Sequence, residues 1–338
     1  MRVRLLRRAL AVVAAVCTAA ASVGCSGTPP EELLIYNAQH ESLTKEWIEE
    51  FTQETGIKVA YRQGGDSELG NQIIAEGQES PADVFLTENS PAIAAVERAG
   101  LLAPIDSQTL AQVPEQYRPE SNSWVGVAAR STVFVYNPAK LSADQLPKSL
   151  LDLQNPQWRG RWGAPPAKAD FQAIVAALLE LRGTAATEQW LTAMKADAVA
   201  YKDNIATLRA VNGGEVDGGV IYHYYWYRDQ AKTKEMSGNT KLHYFKNSDP
   251  GAFVSLSGGG VLKSSKKSGK AQQFIGFITG KRGQEVLQNG TSFEYPVASG
   301  VPANSALVPL DQLQAPKVNP SALDAAAVTE LMTGAGLL

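Results

Sequence analysis

Residues 33–63, LLIYNAQHESLTKEWIEEFTQETGIKVAYRQ, set an apolar run, an amphipathic run and a second apolar run in one short segment. The first run, 33–36, reads as a strand. Leu43, Trp47, Ile48 and Phe51 then share one face at helical spacing, Gly56 stops the helix, and 57–61 reads as a second strand. A strand, a helix and a strand in that order make a parallel crossover, so the chain must build a parallel or mixed sheet covered by helices.

The alternation continues with a helix near 67–77, a strand at 83–86 and a helix near 91–99, which makes a first α/β lobe. The run WVGVAARSTVFVY, 124–136, is long enough to cross from one lobe to another and is interrupted only by Arg130. A second alternating set follows. It has a strand near 161–164, helices near 171–182, 185–194 and 204–212, and a strand at 217–222. Residues 251–263, GAFVSLSGGGVLK, read as a return crossing, with the glycines at 258–260 fitting a hinge or a ligand-facing turn. Helices near 268–279, 282–288 and 321–333 complete the chain. The expected fold is α/β, a two-lobed clamshell of mixed sheets flanked by helices with its ligand in the cleft. Its expected lobes are 33–129 plus 255–305 and 130–254 plus 306–338, with no internal repeat.

The first residues, MRVRLLRRALAVVAAVCTAAASVGCSG, have the charged start and short apolar middle of an export signal, taken as 1–24. The small residues before Cys25 resemble the lipobox of bacterial lipoproteins, with Ser22 where leucine is usual. Cys25 is therefore the expected lipidation site at the head of a tether, 25–32, that leaves the protein periplasmic or anchored outside the cytoplasmic membrane. Cleavage there removes four arginines and no acids, so the formal charge moves from −3 to −7. No cysteine follows Cys25, which excludes internal disulfides and thiolate metal sites from the mature fold. An acidic chain without a basic cluster also argues against nucleic acid as a partner.

Catalytic motifs are missing. The three histidines, His40, His223 and His243, form no HExxH pair, and neither a G-x-S-x-G elbow nor a nucleotide loop is present. A different set of residues falls at the carboxyl edges of strands, where open α/β sheets place ligands. His40 follows the first strand and Glu88 follows DVFL. The stretch IYHYYWY, 221–227, brings five aromatics together at the end of another strand. Strand alternation would put Tyr222 and Tyr224 on one face with His223 turned away, and would leave Trp226 and Tyr227 to packing. Each residue alone has a plainer reading as a cap, a rim residue or core.

Together, one imidazole, one carboxylate and two phenols fit a small, hard, trivalent cation. Phenol ionises near pH 10, so only a strongly acidic metal displaces its proton at neutral pH. Calcium favours more carboxylates and carbonyls, and zinc or copper favour more histidine or cysteine. Ferric iron matches best, because two phenolates and a glutamate neutralise its charge and leave two octahedral positions for an anion or water.

These residues lie in IYNAQH (35–40), SPADVFLTEN (80–89) and GEVDGGVIYHYYWY (214–227), which stand with GLLAPI (100–105) and DPGAFVSLSGGGVLKSS (249–265). In these segments, and over nearly the whole chain from Leu33, the sequence resembles the bacterial periplasmic ferric-iron-binding proteins. Those are transferrin-like solute-binding components of iron ABC importers with the type II periplasmic-binding fold. The resemblance implies His40, Glu88, Tyr224 and Tyr225 as iron ligands, Fe3+ or a ferric chelate as cargo, and a membrane ABC permease as partner. It also implies a synergistic anion, phosphate or carbonate, near Asn204 in YKDNIATLRAV.

The sequence departs from its relatives at that anion site. Where phosphate-binding relatives carry a Thr-Ser-Gly-Ala segment, this chain has Ala167, Lys168, Ala169 and Asp170, and Tyr222 stands where an asparagine is usual. Tyr222, Asp170, Lys168, Asn204 and Arg130 are therefore candidates for a further metal or anion contact. The expectation is a monomeric binding protein and no enzyme. The rivals are a receptor of the same fold for a small anion or polyamine, and, further off, a secreted enzyme.

Overall fold

The computed structural model describes Glu32–Leu338. The expected export leader, with Cys25 and the tether up to Glu31, lies outside the described residues. The chain runs β1 Leu33–Asn37, α1 Glu41–Thr55, β2 Val59–Gln63, α2 Asp66–Glu76, β3 Val84–Leu86 and α3 Ser90–Arg98. It continues α4 Ser107–Gln112, β4 Val125–Tyr136, β5 Trp162–Ala164, α5 Ala169–Asp197, β6 Val199–Ala200, α6 Asn204–Asn212, β7 Gly218–Tyr222 and α7 His223–Lys232. It ends β8 Lys241–His243, β9 Val254–Val261, α8 Ser268–Thr279, α9 Lys281–Asn289 and α10 Ala325–Gly334.

The opening crossover forms as its pattern dictates. β1 pairs in parallel with β2 and with β3, and α1 buries Leu43, Trp47 and Phe51 while Gly56 ends it in the left-handed conformation. β2 begins two residues later than expected, because residues 56–58 are used in leaving the helix.

β4 organises the rest. Its first part, Val125–Ser131, pairs antiparallel with β9, which in turn pairs with β3. Its second part, Thr132–Tyr136, pairs with β7, and β8 lies on its other side. β5 and β6 extend the β7 side in parallel. One long strand therefore belongs to two sheets, and each sheet carries its own helices. This is the two-lobed clamshell of mixed sheets. Among the described residues no helix is long and apolar enough to cross a membrane.

Gly258–Gly260 form no turn; they lie inside β9. A Cβ on Gly258 would come within 2.6 Å of Ile93 Cγ2 in α3, and one on Gly259 within 2.8 Å of Val127 Cγ1, so the missing side chains let helix and strands close on β9. The two helices expected at 171–182 and 185–194 are present within α5, separated at Gly183, whose φ of 77° breaks the helical path.

Candidate metal centre

The side chains in question sit where helices begin. His40 immediately precedes α1, and its ring makes no capping bond, so both nitrogens are left for other partners. Glu88 and Asn89 form the short link between β3 and α3. Asp170 lies in the first turn of α5, Asn204 opens α6, and Tyr224 and Tyr225 lie in the first turn of α7. Five helix N-termini thus point their partial positive charge toward one region, which favours carboxylates and phenolates there.

The helix start corrects the strand reading of the aromatic run. The extended chain ends at Tyr222, and His223 is already helical. Consecutive Tyr224 and Tyr225 therefore both reach the site, with ring centroids 4.2 Å apart, where alternation would have sent them to opposite faces. His223 is buried behind them. Its Nδ1 accepts from the Ser131 backbone N–H at 3.1 Å, and its ring stacks on Tyr295. Trp226 donates to Thr240 at 3.0 Å and Tyr227 stacks on Phe293, so both pack.

The groups converge closely. Tyr224 donates its hydroxyl to Glu88 Oε1 at 2.8 Å and lies 3.4 Å from Asp170 Oδ2. Tyr225 donates to Asp170 Oδ2 at 3.0 Å. His40 Nε2 stands 3.5 Å from Glu88 Oε1, and the His40 ring meets Tyr224 edge to face. Asn204 Nδ2 donates to Asp170 Oδ2 at 2.8 Å and Asn89 Nδ2 to Asp170 Oδ1 at 2.9 Å.

Tyr222 is fully buried, and its hydroxyl donates to Asn89 Oδ1 at 3.3 Å, where Ser255 also donates at 2.9 Å. Arg130 is ion-paired with Glu294 and lies over the Tyr224 ring at 5.8 Å. Lys168 is exposed before α5 and bonds to none of these residues. The structure thus gathers His40, Glu88, Tyr222, Tyr224, Tyr225, Asp170, Asn204 and Arg130, and leaves Lys168 outside.

Burial strongly raises the pKa of the Tyr224 and Tyr225 phenols, and the charges of Asp170 and Glu88 raise it further. Without a metal they are neutral donors. Burial, then Glu88, pushes Asp170 up to about 7 and Asp66 up to about 8. Burial would lower His40, but the Glu88 and Glu294 carboxylates outweigh it and raise it. Burial works against the Glu294 carboxylate too, yet Arg130 and His40 hold it down at about 2. Burial takes His223 down to about 3, so it is neutral.

Four supporting residues escaped sequence reasoning. Asp66 accepts from the Glu88 and Asn89 backbone N–H groups at 2.8 and 3.0 Å and so fixes the loop that presents Glu88. Asn89 and Gln39 are neighbours of Glu88 and His40 in quoted motifs, so adjacency was a usable signal. Glu294 comes from an irregular segment, TSFEYP, and carried none. Among the described residues no cluster of three or more His, Cys, Asp or Glu is arranged for a metal, so a cation here depends on the phenols.

The strand β9 separates this site from a second space. Ser255 and Ser257 face the site, while Val254 and Leu256 line an open cavity of about 1300 Å³ on the opposite face, lined also by residues of 301–323.

Two α/β lobes sharing a crossing strand, with polar side chains gathered at converging helix starts, define a two-lobed solute-binding protein. The profile of the bacterial extracellular solute-binding proteins matches residues 79–324, and the chain belongs to that family. It is 63% identical over 306 residues to an Fe(3+)-binding periplasmic protein of Serratia marcescens, covering 90% of each chain. It is 35% identical over 309 residues to the major ferric iron-binding protein of Neisseria meningitidis serogroup B, covering 90% of this chain and 93% of that one. Iron-bound HitA from Pseudomonas aeruginosa has the same fold at a TM-score of 0.85 and 42% identity, over 91% of this chain and all of that one.

Proposed function

We propose that this protein captures ferric iron outside the cytoplasm and hands it to an ABC permease, with His40 Nε2, the Glu88 carboxylate and the Tyr224 and Tyr225 phenolates as ligands. The observation that carries this reading is the pair of phenol hydroxyls, Tyr224 buried and Tyr225 half-buried, each donating to a different carboxylate, Glu88 at 2.8 Å and Asp170 at 3.0 Å, with an imidazole beside them. A hard trivalent cation replaces both phenolic protons and draws the same groups inward. The ferric-binding names of the relatives support it.

Asp170 takes the part of the synergistic anion. Its carboxylate accepts from Asn204 and Asn89, and from Tyr225 until the metal displaces the phenol proton, so a protein carboxylate already stands among the donors at the starts of α5 and α6. Asp170 then supplies an oxygen as the fifth donor and water the sixth. Arg130 and Tyr222 act from behind, and Lys168 has no part.

Metal joins His40 and Glu88, carried on the β1 and β3 side, to Tyr224, Tyr225 and Asp170, carried on the β7 and β5 side. Binding therefore selects the closed form of the two lobes, with boundaries at 33–129 plus 255–305 and 130–254 plus 306–338. One chain holds the full ligand set, so it acts as a monomer, tethered through lipidated Cys25. Ferrous iron is a weaker acid and holds phenolate less well, so reduction or protonation releases the cargo.

Equilibrium dialysis against ferric citrate tests the assignment. The wild-type protein retains iron without added phosphate or carbonate, and Asp170→Ala retains it only when one of those anions is supplied. A wild type that needs the anion, together with an unchanged Asp170→Ala, contradicts the role given to Asp170.

A further inference from the structure

We infer that Glu294 is a positioning residue for iron, holding His40 in the tautomer and orientation that presents Nε2 to the metal, an inference that rests on the ferric reading above. Glu294 is 1% exposed and comes from the irregular segment after α9, far along the chain from His40. Its Oε2 accepts from Arg130 Nη2 and, at 3.3 Å, from Gln39 Nε2. Its Oε1 has no hydrogen bond of good geometry, and the polar atom facing it is His40 Nδ1 at 3.3 Å. A buried carboxylate oxygen left in that state needs a donor, and an Nδ1–H on His40 supplies it.

The surroundings fix the tautomer of the neutral imidazole. Gln39 Oε1 lies 3.0 Å from the same Nδ1 and already accepts from the His40 backbone N–H at 2.7 Å. Two acceptors on the Nδ1 side hold a proton there, which leaves the Nε2 lone pair on the side of Glu88 Oε1, 3.5 Å away, where the metal would bind. A histidine that donates its far nitrogen to a carboxylate is the arrangement that fixes metal-bound imidazoles and raises their basicity. Arg130 completes it by neutralising Glu294, so the carboxylate adds no net charge to the iron site.

The test is a double-mutant cycle read by ferric titration against citrate. Glu294→Gln in the full protein is expected to weaken ferric binding about 10–100-fold while the phenolate-to-iron colour persists, since no phenol is touched. In a His40→Gln background the same change is expected to cost less than about threefold, because the residue it positions is gone. Equal losses in the two backgrounds, or no loss in either, overturn the inference. If Glu294→Gln leaves Arg130 stranded and the protein unfolds in a thermal melt, Arg130→Met/Glu294→Gln removes the pair together and the same cycle applies. A wild type that stays colourless would instead sink the ferric reading itself.

Discussion

Tyr224 and Tyr225 carry the same group at consecutive positions, yet one hydroxyl meets Glu88 and the other Asp170. Under the ligand assignment proposed above, loss of either phenol removes a ligand, so Tyr224→Phe and Tyr225→Phe should each weaken ferric binding by more than the roughly 10–100-fold that outer partners contribute. Tyr222→Phe should behave differently. Its hydroxyl meets Asn89 and Ser255 and touches none of the four proposed ligands, and Asn89 Oδ1 keeps its bond from Ser255, so ferric affinity should stay within about threefold of wild type in the same titration. The aromatic run was legible as a cluster at a strand end, but its pattern fitted core or rim as well as ligands, and it was the resemblance that singled out Tyr224 and Tyr225. Asp170 was legible only as a departure from relatives, and its bonds to Asn89 and Asn204 were not. Glu294 could not be read at all, because nothing in TSFEYP ties it to His40 before the chain folds.

Among the elements, the β1–α1–β2 crossover and the crossing strand β4 followed from apolar periodicity alone, since burial on both faces leaves a continuous run. A sequence does not say whether the glycines of β9 bend the chain or let a neighbour in. The structure makes the second case at Gly258. Gly258→Val should overpack Ile93 and lower stability by about 1–3 kcal/mol in a denaturant melt. It should also weaken iron binding, because the displaced helix α3 follows directly on Glu88. The helix starts bear on pH as well. Asp66 at about 8 and Asp170 at about 7 lie above the ordinary carboxyl value of 3.8, and His40 is also raised. Groups raised by folding stabilise at low pH and lose that contribution as pH rises through their folded values. His223 and Glu294 have the opposite sign, but their windows end near 6.5 and 4.5. The metal-free protein should therefore lose thermal stability between about pH 6.5 and 8, and Asp66→Asn should shrink that loss. A flat profile in wild type, or an unchanged slope in Asp66→Asn, counts against the buried carboxyls.

For the whole molecule, two lobes on a shared strand make the cargo itself the cross-link, and the protons it displaces report the ligands. Each phenol gives up one proton to the metal, so the two together should raise ferric affinity by about two powers of ten per pH unit, and the rise should be steeper where Asp170 and His40 also bind protons. The most direct check of the central claim is the visible absorption of the metal-free protein on adding ferric citrate. The wild type should develop a phenolate-to-iron charge-transfer band, each single phenylalanine variant should show it weakened and shifted, and Tyr224→Phe/Tyr225→Phe should show none. A colourless wild type, or phenylalanine variants that colour as the wild type does, would contradict ferric capture by these tyrosines.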